Sequence, residues 1–240
     1  MPCKAVLFDM DGTVLNTLDD LTGAVNHAMA ATGHRHDFTA RETGAFFGSG
    51  ALAAMARALC AEAGQDPDSL ETVGTPGDDT LDRVGAEALR ALAVFREYYP
   101  AHCEINTMPY PGVLALMEAL RARGVKTAVV SNKLDAAVGP LCEKYFPGLV
   151  DFALGERDGV RRKPAPDMCG TALRALGVSA EDAVYVGDSE VDLETADNAH
   201  LRCVAVSWGF RGRAFLERHG AETIADDADA LLRILTQNEA

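Results

Sequence analysis

Apolar and polar positions along this chain fall into two kinds of block. Residues 4–8, KAVLF, form a short apolar run that predicts a buried strand, and β-rich runs recur as KTAVVS, VDFAL, AVYVG and RCVAVS. Between them, apolar residues take helical spacing over residues 112–123, about 134–145, about 166–176 and about 190–198. Strands alternating with helices predict an α/β fold, a parallel sheet covered on both faces. Functional groups in such a sheet gather beyond the strands' C-terminal ends.

Residues 16–108 break the alternation. LDDLTGAVNHAMAATG, GALAAMARALCAEAG and DDTLDRVGAEALRALAVFREYY carry apolar residues at helical spacing, and no convincing strand lies among them. TVGTPGDD separates the last two, and MPYPG marks the return to the α/β pattern. The chain therefore reads as a sheet domain of residues 1–15 and 109–240 with a helical insert, 16–108, expected over the end of the first strand.

Composition narrows the setting. A chain of 240 residues with 48% hydrophobic and 24% charged positions has room for a sizeable core, and no apolar run approaches a membrane span. The start of the chain lacks a secretory pattern, and the six cysteines are scattered without CxxC spacing, so a cytoplasmic, reducing location is expected. A formal charge of −14 disfavours nucleic acid as partner. A small anionic substrate stays open where a site supplies its own positive charge.

Polar clusters follow the apolar runs. In VLFDMDGTVLNT, Asp9, Asp11 and Thr13 could share one side of an extended segment while Met10 points elsewhere, with Gly12 at a turn. An Asx-type turn explains DxDGT alone. A calcium loop does not, because Val14 and Asp20 occupy the places of its glycine and bidentate glutamate. Ser131 and Asn132 close the second run, where helix N-capping competes with anion binding. Lys163 in RRKPAPD sits on a proline-stiffened backbone; by itself it reads as a solvated charge. Asp188 follows Gly187, as an N-cap or as part of a site, with Asp192 one helical turn on. Carboxylates crowded at strand tips are costly unless a cation neutralises them, and hard oxygen donors favour Mg²⁺.

The four clusters, in this order, resemble the four motifs of the haloacid dehalogenase superfamily. DMDGTVLNTLDDLTGAVNHAM, FFGSGALAAMARAL and PYPGV are similar to its phosphoglycolate phosphatase-like group. The resemblance implies a Rossmann-like parallel-sheet core with an inserted helical cap domain. It implies that Asp9 is the nucleophile and Asp11 the general acid/base. It also implies Mg²⁺ on the Asp9 carboxylate, the Asp11 carbonyl and Asp188, with Asp192 in support. Ser131, Asn132 and Lys163, with Thr13, would hold the phosphoryl group.

A Mg²⁺-dependent phosphatase of a small phosphomonoester is the implied activity, with an aspartyl-phosphate intermediate and phosphoglycolate the leading substrate. Asp11 counts against a dehalogenase, which has no alkoxide to protonate. The absence of any lysine from residues 16–108 counts against a phosphonatase. A β-phosphoglucomutase-like mutase, a pyrophosphatase or nucleotidase of the superfamily, and a non-catalytic binding module are the alternatives. In the insert, Arg41 and the loop Gly48, Ser49 and Gly50 are candidates for meeting the leaving group, with a turn between helices as the plainer explanation. His27, His34 and His36 read as structural or solvated. Oligomeric state is not legible.

Overall fold

Alternate side chains of the first strand go to opposite faces of a sheet in the computed structural model, which describes residues 3–65 and 79–237. Val6 and Phe8 of β1 (Ala5–Phe8) pack with α5 (Val113–Ala122), α6 (Asp135–Tyr145) and α10 (Ala228–Thr236) through Met117, Leu120, Val138 and Leu231. Ala5 and Leu7 pack on the other face with Met168 and Ala172 of α7 (Asp167–Leu176) and Ala196 of α8 (Glu190–Asn198). A strand buried on both faces reads as a continuous apolar run, which is why AVLF shows no alternation.

The sheet is six-stranded and parallel. β1 lies between β4 (Lys126–Leu134) and β6 (Ala183–Gly187), with β5 (Phe152–Glu156) outside β4 and β7 (Arg202–Val206) and β8 (Ile224–Ala225) beyond β6. Phe8 pairs in register with Val129 on one side and Val186 on the other. The strands after β1 fill one side of it first and then the other, so the strand order reverses around β1. The crevice at such a reversal, past the strand ends, is where α/β sheets place ligands, and Asp9 is the next residue.

The chain divides into two compact units, Thr17–Thr107 and the residues on either side of it. A two-residue ladder absent from the sequence reading joins the crossings: β2 (Leu15–Asn16) pairs antiparallel with β3 (Met108–Pro109). Two residues give too short a run for any periodicity. Thr17–Thr107 holds α1 (Leu18–Ala31), α2 (Ala40–Phe46), α3 (Ala51–Glu62) and α4 (Thr80–His102). Leu21, Ala24, Val25, Ala28 and Met29 form the buried face of α1 at the spacing that predicted it. Thr39 and Glu42 close a reciprocal capping box on α2. The glycine- and proline-containing stretch 72–78 lies outside the described residues. Among the described residues, no helix is long and apolar enough to cross a membrane.

One buried acid ties the two ends of the helical unit together. The Asp20 carboxylate accepts from Asn106 N and Nδ2 and from Thr107 N and Oγ1, at 2.8–3.1 Å. Asp20→Ala strands four donors at once, and hydrogen bonds to a charged group are worth about 1.5–3 kcal/mol each before water returns to the site. Urea unfolding of Asp20→Ala should show a loss of about 2–4 kcal/mol. A change under about 1 kcal/mol would mean water replaces the carboxylate at little cost.

Candidate active site

β1 ends at Phe8, so Asp9, Asp11 and Thr13 are brought together by a turn rather than by strand alternation. Thr13 N, Val14 N and Leu15 N all donate to Met10 O, folding the chain back on itself while the Met10 side chain stays in the core. Gly12 makes this possible: its φ is +84°, and a methyl group there would overlap the Asp188 carboxylate. A methyl group on Gly209 would strike Asp188 as well, so two glycines let the backbone close around one acid.

Asp9, Asp188 and Asp192 converge, with one oxygen from each lying within 4.8 Å of the others. Asp192 is fully exploited by protein donors. Its Oδ1 accepts from Lys163 Nζ at 2.8 Å and Tyr185 OH at 2.9 Å; its Oδ2 accepts from Asp188 N, Ser189 N and Ser189 Oγ. Asp188 accepts from Thr13 Oγ1 at 3.0 Å and from Phe210 N at 2.7 Å. The loop that supplies Phe210 is anchored by Trp208 Nε1, which donates to Thr13 O, and by the two-pronged Arg211–Glu190 pair.

Lys163 is 2% exposed, which overturns its reading as a solvated charge. Its ammonium touches Asp192 and Tyr185 OH, and lies 2.8 Å from Asp9 Oδ1. That last contact is an ion pair by distance whose angle falls short of a hydrogen bond, so the buried Asp9 Oδ1 has no aligned donor. Asn132 sets the lysine's place: its Nδ2 donates to Lys163 O and its Oδ1 accepts from Lys163 N. Its Oδ1 and one of its two Nδ2 hydrogens are thus engaged by the Lys163 backbone. Thr13 donates its hydroxyl proton to Asp188 and so helps fix that carboxylate.

The capping explanations fail. β4 runs on through Leu134, which is itself the N-cap of α6, so Ser131 and Asn132 lie in extended chain. Ser189, not Asp188, is the N-cap of α8. Lys133, which the sequence reading passed over, donates from Nζ to Asp11 Oδ1 at 2.9 Å. Tyr185 was missed too; its place two residues before Gly187 on a buried strand was the available signal. Arg41 and the Gly48–Gly50 loop belong to the helical unit. Arg41 is exposed on α2, while Ser49 is buried with its Oγ 3.0 Å from the guanidinium of Arg57, an arginine with no solvent exposure.

The electrostatics follow from burial. It pushes Asp9 up to about 6 against the pull of Lys163. Burial, with Asp192 and Asp9 beside it, raises Asp188 well above the usual carboxylate range. Burial works against Asp192 also, but the Lys163 ammonium and its hydrogen bonds hold it low. Burial opposes the charge on Lys163, and the two aspartates outweigh it and raise its pKa. With all three acids ionised, three carboxylates against one ammonium leave two negative charges, the deficit a divalent cation fills. The all-oxygen donor set and the unaligned Asp9 Oδ1 fit a hard cation of that kind.

Comparison with known proteins agrees with this chemistry. The family model described as haloacid dehalogenase-like hydrolase matches residues 3–200. A Rhodospirillum rubrum protein named phosphoglycolate phosphatase is 33% identical over 234 residues, 95% of this chain and 89% of its own. The crystal structure of a Lactobacillus delbrueckii subsp. bulgaricus protein, provisionally described as a phosphoglycolate phosphatase, superposes with a TM-score of 0.96 at 50% identity, over 99% of this chain and 100% of that one. A variant of CbbY from Rhodobacter sphaeroides, in complex with xylulose-(1,5)bisphosphate, superposes with a TM-score of 0.65 at 28% identity over 94% and 95% of the two chains.

Proposed function

The chain belongs to the haloacid dehalogenase-like hydrolases, and from that premise we propose that it is a Mg²⁺-dependent phosphatase of small phosphomonoesters, phosphoglycolate foremost, with Asp9 as nucleophile. The observation that carries this reading is the buried Asp9 carboxylate, held between Lys163 and two further acids with one oxygen lacking an aligned donor. It is a phosphoric monoester hydrolase by family and by the names its relatives carry.

Asp9 attacks phosphorus in line and becomes an aspartyl-phosphate, dividing one slow hydrolysis into two easier steps. Asp11 protonates the departing ester oxygen and later takes a proton from the attacking water. Lys163 lies beside Asp9, where its charge offsets the repulsion between an anionic nucleophile and an anionic phosphate. Ser131 adds a hydroxyl from the C-terminal half of β4, and Asn132 keeps Lys163 in place through its backbone. Asp9 and Asp188, with the Asp11 carbonyl, would hold Mg²⁺, and Asp192 would orient the site through its five accepted hydrogen bonds. When bound, the ion supplies charge neutralisation and polarises the phosphoryl oxygens. Residues 16–108 serve as the cap, in which Arg41 and Gly48, Ser49 and Gly50 meet the leaving group. A cytoplasmic setting is consistent with five of the six cysteines being buried, where Cys142 and Cys169 are pushed up to about 12 and so stay unreactive.

A panel of phosphorylated metabolites assayed with Mg²⁺ should give the highest kcat/KM for phosphoglycolate, and chelation by EDTA should abolish release of phosphate. The CbbY complex favours a sugar bisphosphate as the second reading. Highest kcat/KM on such a compound would install it, and conversion of β-glucose 1-phosphate to the 6-phosphate without free phosphate would replace the hydrolase by a mutase.

A further inference from the structure

Asp9 faces Lys163, and Asp11 faces a lysine of its own. The Lys133 side chain is 3% exposed, and its ammonium donates to Asp11 Oδ1 at 2.9 Å, while Asp11 itself is 17% exposed. Lys133 belongs to the same strand tip as Ser131 and Asn132, and its backbone N–H reaches Ser131 Oγ at 3.3 Å. An ammonium is expensive to bury, and a flexible surface lysine would leave such a place for water. Two buried lysines on two buried or half-buried acids therefore divide the work: one serves the attacking oxygen, the other the proton carrier.

We propose that Lys133 is a positioning residue for proton transfer, holding the Asp11 carboxyl group in one orientation as it exchanges its proton with the leaving oxygen. This rests on Asp11 being the acid of the reaction. In that step the bond from phosphorus to the ester oxygen breaks as the bond from Asp9 forms. The electron pair stays on the ester oxygen, which takes the Asp11 proton, and the carboxylate left behind is the partner seen against Lys133.

An ester whose alcohol departs as a stable phenolate needs little help from an acid, whereas an alkyl ester needs all of it. The test therefore compares kcat/KM on p-nitrophenyl phosphate and on phosphoglycolate. This quantity excludes the later hydrolysis of the aspartyl-phosphate. Lys133→Met should lower kcat/KM about tenfold to a hundredfold on the alkyl ester and less than about threefold on the aryl ester. Lys133→Gln, which keeps a polar group beside the Asp11 carboxylate, should reproduce the selectivity if Lys133→Met folds poorly. In an Asp11→Asn background, Lys133→Met should add less than about threefold. Equal losses on both esters, or none, overturn the proposal, whatever the melting temperature. Asp11→Asn is the control: if it too fails to discriminate the esters, the acid role of Asp11 falls and the proposal with it. A selective Asp11→Asn beside an unselective Lys133→Met overturns the proposal alone.

Discussion

Asp9→Asn is expected to stop phosphate release while making the metal-free protein more stable. On the proposed mechanism the substitution should cut kcat by at least about 10⁴-fold, because the amide cannot form the phosphoenzyme. Stability moves the other way, since the substitution deletes one of three crowded buried carboxylates and leaves an oxygen for Lys163. The pH dependence has a definite sign. Burial raises Asp9 from 3.8 to about 6 in the folded protein, so the folded state binds a proton more tightly than the unfolded one. Stability of the metal-free wild type therefore falls as pH rises from about 4 to about 6, and the advantage of the asparagine variant grows through that window. Thermal scans across these pH values should separate the two curves by several degrees, about 2–8 °C for 1–2 kcal/mol. Added Mg²⁺ should raise the wild-type melting temperature more than the variant's, because a ligand stabilises only as far as it binds the folded site. A variant that gains as much from Mg²⁺ as the wild type would remove Asp9 from the metal site.

Lys163→Met should have the largest cost to stability. The wild-type ammonium holds two acids that are both buried, and methionine leaves them facing each other with no cation between them. Breaking a buried pair from one side costs about 3–5 kcal/mol. Tyr185→Phe, which removes one donor to Asp192 and one acceptor for Lys163, should cost only about 1–2 kcal/mol. Denaturant unfolding of the two variants checks the ranking, and the reverse order would place the weight of the cluster on Tyr185. Lys163→Arg should not restore activity, because a planar fork cannot occupy a place shaped for a compact ammonium by Asp9, Asp192 and Tyr185.

The strands and helices of the sheet unit were legible because each has enough length to show its period. KTAVVS, AVYVG and RCVAVS became β4, β6 and β7, and the helical spacings became α5 to α8. The pairing of Leu15–Asn16 with Met108–Pro109 was not legible, since it is decided by which distant segments meet. The same holds inside the site. The positions of Asp9, Lys163, Asp188 and Asp192 at or beyond the ends of apolar runs could be read, but their partners could not. Asn132, read as an anion ligand, also clamps the Lys163 backbone, a contact across 31 residues of chain that the sequence does not signal. Lys133 was hidden because one lysine at a strand end has no periodic signature, and α10 was passed over although Asp227 caps it and Leu231 and Leu235 are spaced as a helix requires.

The ladder between Asn16 and Met108 has a consequence for how such a chain diversifies. Where the polypeptide leaves the sheet unit and where it returns are opposite each other on paired strands, a separation of about 5 Å. Any segment whose two ends meet that closely can be spliced between them without displacing the first strand. The 91 residues of Thr17–Thr107 are in this sense a replaceable module. Their sequence and even their length can change while the ladder, and with it the strand that leads into Asp9, keeps its place.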